Sequence, residues 1–128
     1  MGVGLLYHLA HEGWTDTLLI EKGELTSGST WHAAGLVPHF IGSLNMAKVH
    51  AYGAELYTTL EAETGMSTGW HGCGAIRLAV NHEQAEWYRY VGAMLDSIGI
   101  ESHLVGHDEI RAMAPLMESI DDVVLGFH

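Results

Sequence analysis

The chain is 128 residues long, enough for one ordinary domain, and 48% apolar, enough to build a core. Five basic residues against sixteen acidic ones give a formal charge of -11, which disfavours nucleic acid and anionic membrane as partners. No apolar run approaches the ~20 residues of a membrane span, no basic leader precedes an apolar stretch, and the single cysteine, Cys73, excludes an internal disulfide.

Val3 to His11 reads as a short helix with Val3, Leu6, Tyr7 and Ala10 on one face, stopped by Gly13. Thr17 to Glu21 is short and continuously apolar until its terminal acid, the pattern of a buried strand. Helix, turn and strand form the second half of a βαβ unit, whose first strand is expected upstream of Met1. Residues 23–42 are glycine-rich and irregular; Trp31 and Phe40 within them favour a functional loop over disorder.

A helix is expected from about Asn45 to Thr64, with Met46, Val49, Leu56 and Leu60 near the helical period and Gly65 as its stop. Gly74 to Val80 reads as a strand in which Ile76, Leu78 and Val80 alternate with Arg77 and Ala79. Asn81 followed by Gln84 is a helix cap, and the helix it opens runs to about Ser97. Glu101 to Val105 is a short strand, Asp108 to Met113 a short helix stopped by Pro115, and Val123 to Phe127 a last strand. The order implies an α/β fold. Residues 1–42 read as a partial Rossmann-like dinucleotide-binding part without its first strand. Residues 43–128 add helices and strands, and the whole looks truncated at both ends.

Two features point to a nucleotide cofactor. Gly2 opens the first helix and Glu21 ends the next strand, nineteen residues later. In G-x-G-x-x-G folds the last glycine packs helix on strand, and an acid about 20 residues on binds ribose. An ordinary αβ unit with an exposed acid fits the same spacing. The second feature is the run Gly28, Ser29, Thr30, Trp31, His32, Ala33, Ala34, Gly35 and Leu36. Its small residues let a backbone approach a ligand closely, and a lone imidazole sits among them. From spacing alone, the favoured reading of His32 is a loop histidine bonded to backbone.

Other side chains carry less. The ten histidines lack carboxylate or thiolate partners at metal-site spacing, so no metal is expected. Cys73 reads as a buried inert thiol, Arg77 as an outward-facing charge, and Trp87, Tyr88 and Tyr90 as packing residues. Glu55, Glu61 and Glu63 read as a solvated helix face.

The segment Glu24 to Leu36 resembles the flavin-attachment segment of the dimethylglycine and sarcosine dehydrogenase family, FAD-dependent amine oxidoreductases of the D-amino-acid-oxidase-like superfamily. The likeness continues through Tyr7 to Ala10, Leu19 to Lys22, Leu60 to Gly65 and Gly74 to Ala79. It implies an N-terminal piece of an enzyme that oxidises an N-methylated glycine derivative, with a partial FAD-binding domain leading into an α+β substrate domain. It implies that His32 bonds covalently to the flavin 8α-methyl carbon. It also implies that Glu21 and Lys22 lie around the adenosine ribose, that Gly28 to Leu36 wrap the pyrophosphate and flavin, and that Gly2 is the last glycine of the fingerprint. Tetrahydrofolate would bind in a missing C-terminal region, and electrons would pass to a carrier such as electron-transfer flavoprotein. The expected location is the cytoplasm of a bacterium or the mitochondrial matrix of a eukaryote.

Overall fold

The computed structural model describes all residues, 1–128. The chain divides into two compact units, Met1–Leu36 and Val37–His128.

In the first unit, helix α1 spans Gly2–His11. Gly13, at φ +87°, turns the chain away from it, and Trp14 N–H closes the end by donating to Leu9 O at 2.9 Å. α1 buries no residue; Leu6 and Tyr7 are half-buried and Val3 is exposed. The buried strand expected at Thr17 to Glu21 does not form. The segment has no strand partner, and Leu18 and Ile20 are 83% and 82% exposed. The physical reason is that a strand exists only by bonding to a neighbour, and these 36 residues supply none. One feature of the αβ unit survives: a Cβ on Gly2 would lie 2.8 Å from Leu19 Cδ1, so the helix start packs directly on this extended segment.

The second unit is a small antiparallel sheet with helices, in keeping with an α/β chain. Strands β1 (Arg77–Ala79), β2 (Leu104–Val105) and β3 (Leu125–Phe127) order as β1-β3-β2, with the last strand in the middle. The register pairs Arg77 and Leu104 with Phe127, and Leu78 and Val105 with Gly126. Side chains alternate across a strand. One face therefore carries Ala79, Leu125 and Phe127, which pack with Ala85, Tyr88, Val91 and Leu95 of α3 (His82–Asp96). The other carries Leu78 and Val105, which pack with Ile110 of α4 (His107–Met113) and with Ile120 and Val123. Ala79 is fully buried and Val80 exposed, so the expected single apolar face at Ile76, Leu78 and Val80 is replaced by a sheet covered on both sides. Gly126 permits this, since a Cβ there would lie 2.7 Å from Val105 Cγ2 and 3.1 Å from Ile110.

Helix α2 spans Leu44–Thr64 and ends at Gly65, whose φ of +70° is the left-handed stop the sequence predicts. Its buried positions are Ala47 and Ala54, two turns apart, rather than Met46 and Val49, which are exposed. Small residues let the helix approach its neighbour, and the larger ones stay outside. At the start of α3, Gln84 N–H donates to Asn81 Oδ1 at 2.8 Å, as the cap pattern requires. The return bond runs from Val80 N–H to Gln84 Oε1 at 2.8 Å, one residue earlier than that of a standard capping box.

Candidate functional site

The run of small residues folds into a tight hydrogen-bonded corner. Ser27 N–H donates to Glu24 O at 3.2 Å, closing a four-residue turn, and Ser27 Oγ donates to the same oxygen at 2.7 Å. Thr26 holds the third position of that turn at φ +72°, the one non-glycine residue of the chain with positive φ. Ser29–His32 then form a single 3-10 turn with Gly28 at its start. Trp31 N–H is shared between Thr26 O at 3.1 Å and Gly28 O at 3.2 Å, and Ala33 N–H donates to Thr30 O at 3.2 Å.

His32 projects from this corner. Its Nδ1 lies 3.1 Å from Gly28 O. A carbonyl oxygen only accepts, so the bond requires the proton on Nδ1, and in the neutral ring the lone pair then lies on Nε2. The side chain is exposed, as are Ser29, Thr30, Trp31, Ala33, Ala34 and Leu36. Beyond the turn, Gly35 takes φ +73° and redirects the chain. A Cβ built on Gly28 or Gly35 would meet nothing within 4 Å, so open space adjoins the backbone at both. Small side chains, open flanks and one imidazole with a free nitrogen suit a flat, extended cofactor with a point of attachment. The residues available to hold it are Gly28 to Leu36.

The other site residues expected from the sequence form two further local features. Glu21 Oε1 accepts from Gly23 N–H at 3.1 Å, so the acid caps its own turn while remaining exposed beside exposed Lys22. Gly2 acts through its packing on Leu19. No group of three or more His, Cys, Asp or Glu side chains comes together to hold a metal ion, and no helix is long and apolar enough to cross a membrane.

Several single residues depart from expectation or add to it. Cys73 is exposed rather than buried, because Gly72 and Gly74 leave the segment without side chains to cover it. Arg77 is exposed as expected, yet its guanidinium sits 4.5 Å over the Phe40 ring, a cation–π contact with no signal in the sequence. Phe40 also meets Tyr88 and Phe127 edge to face at 5.1 and 5.0 Å. Tyr88 packs in the core as expected, whereas Trp87 and Tyr90 stack on each other at 5.3 Å on the exposed side of α3. Thr26 was not identifiable from the sequence, since residue type does not announce positive φ in a threonine.

Comparison with known proteins covers the whole chain. Residues 1–128 match the family described as FAD dependent oxidoreductase. Mitochondrial dimethylglycine dehydrogenase of Rattus norvegicus is 39% identical over 128 residues, which is 100% of this chain and 15% of that protein. Mitochondrial sarcosine dehydrogenase of Homo sapiens is 35% identical over 124 residues, 96% of this chain and 13% of that protein. The mitochondrial pyruvate dehydrogenase phosphatase regulatory subunit of Mus musculus is 33% identical over 124 residues, 97% of this chain and 14% of that protein. The chain thus spans about one seventh of the length of these relatives.

Proposed function

The chain belongs to the FAD-dependent oxidoreductase family, and from that premise we propose that it is the cofactor-holding segment of an enzyme that oxidises an N-methylated glycine derivative. Dimethylglycine or sarcosine is the substrate type, in line with the names of two relatives. FAD is bound covalently through His32. The observation that carries this reading is the exposed imidazole whose Nδ1 is tied to Gly28 O, leaving Nε2 available.

When bound, FAD supplies the acceptor for the hydride equivalents of the N-methyl carbon. Gly28 to Leu36 hold its pyrophosphate and ring system, Glu21 and Lys22 its adenosine ribose, and Gly2 keeps the helix start close to the extended segment. His32 is the nucleophile for attachment. Its Nε2 would be the atom joined to the flavin 8α carbon, and FAD would supply the electrophilic ring chemistry for that bond. Gly28 O would hold the proton on Nδ1 and so keep the Nε2 lone pair of the neutral ring available.

In the whole protein, electrons pass to a carrier such as electron-transfer flavoprotein, and a tetrahydrofolate site lies outside residues 1–128. The names of the relatives support a mitochondrial matrix location in a eukaryote; the cytoplasm is the corresponding place in a bacterium. A second reading has one specific support, the likeness to a phosphatase regulatory subunit: a domain that keeps this fold without flavin chemistry.

Acid precipitation of the whole protein separates the readings. Yellow colour retained on the pellet is expected for covalent flavin. Colour released to the supernatant fits an FAD oxidase of different substrate range without the link. A colourless protein fits the regulatory reading.

A further inference from the structure

The attachment corner contains a backbone conformation that its residue type disfavours. Thr26 stands at φ +72°, in the left-handed region, where a β-branched side chain crowds its own backbone. The third position of a turn closed like Glu24–Ser27 ordinarily goes to glycine or asparagine when φ is positive. Such outliers persist where the surroundings over-determine them, and they cluster where geometry serves a function.

The surroundings of Thr26 are all backbone. Its side chain is exposed, so packing does not hold it there. Glu24 O accepts two bonds from Ser27, which fixes the peptide following Thr26. The Thr26 carbonyl is then aimed at Trp31 N–H, which it shares with Gly28 O. Gly28 O is the same atom that accepts from His32 Nδ1. Positive φ at residue 26, the Trp31 N–H and the orientation of the imidazole are therefore linked through two carbonyl oxygens. With φ negative, the chain leaves residue 26 in another direction and the Thr26 carbonyl loses Trp31.

We propose that Thr26 is a positioning residue whose left-handed backbone sets the 3-10 turn that presents His32 Nε2 for flavin attachment. This rests on the reading of His32 as the attachment point. Attachment then depends on how readily residue 26 takes positive φ, and not on its hydroxyl.

The test is the rate of covalent flavin incorporation when FAD is added to the whole apoprotein, followed as colour retained on acid-precipitated protein. The dissociation constant for noncovalent FAD is measured on the same samples. Parent, T26G, T26N and T26I are compared; residue 26 is exposed, so none of these changes removes a buried contact. T26G and T26N should match or exceed the parent rate, and T26I should be several-fold slower, because glycine and asparagine enter the left-handed region readily and isoleucine does not. Noncovalent affinity should stay constant across the series. Equal attachment rates in all four proteins, a rate lost in T26G, or a T26I defect that follows weakened noncovalent binding would each overturn the inference. If His32→Ala retains the covalent link, the attachment reading itself fails, which is a separate outcome from a flat Thr26 series.

Discussion

His32 Nδ1 lies 3.1 Å from the carbonyl oxygen of Gly28, so the neutral ring is held in one tautomer by an atom four residues back on its own turn. Nitrogen-15 NMR of the imidazole tests this directly. The neutral ring should show a protonated Nδ1 and an unprotonated Nε2. A ring protonated at Nε2 would mean that the Gly28 bond does not form in solution.

The proposed ribose acid is Glu21, which is exposed at the end of the extended segment. Glu21→Ala in the whole protein should weaken noncovalent FAD binding by about 1.5–3 kcal/mol, roughly 10- to 150-fold, the worth of a hydrogen bond to a charged group. Part of the carboxylate's capacity is already engaged by Gly23 N–H at 3.1 Å, which places the expectation toward the lower end. Unchanged affinity by titration would remove Glu21 from the ribose site.

The second unit depends on its cap and on a glycine. Asn81→Ala removes the oxygen that accepts from Gln84 N–H at 2.8 Å. It should cost about 1 kcal/mol in urea denaturation. No loss would show that Gln84 alone, through Val80 N–H, holds the start of α3.

Gly126→Ala should cost more than the cap, about 1–3 kcal/mol, the range for forcing a methyl into a packed core. The new Cβ would stand 2.7 Å from Val105 Cγ2, with Ile110 on the same side. A neutral substitution would mean that α4 shifts freely against the sheet.

Local signals were legible in the sequence, and those that depend on neighbours were not. Gly65 and the Asn81–Gln84 pair marked helix ends because they act through the backbone of their own turn. The order of helices and strands in the second unit follows the pattern to within a few residues at each end, its strands forming because β1 and β2 both find β3. Thr17 to Glu21 read as a buried strand because its composition suits one, yet strand formation is decided by a partner that composition does not supply. The period of Met46, Val49, Leu56 and Leu60 marked α2 as a helix, but the residues it buries are the small Ala47 and Ala54, to which an apolar periodicity gives little weight. At the site, the small residues around His32 were visible as a run. The hydrogen bond that selects its nitrogen, and the strained Thr26 behind it, exist only in three dimensions.

The central claim is that His32 carries the flavin, and peptide mapping of the whole protein with and without His32→Ala tests it most directly. Its neighbours Ala33, Ala34 and Gly35 offer no nucleophile, and Trp31 is a poor one. The account predicts a flavin-sized mass on the proteolytic peptide containing Trp31 and His32. In His32→Ala that mass should vanish, while the protein stays folded and still binds FAD reversibly. A flavinylated peptide that persists in His32→Ala, for instance one containing His39, would contradict it.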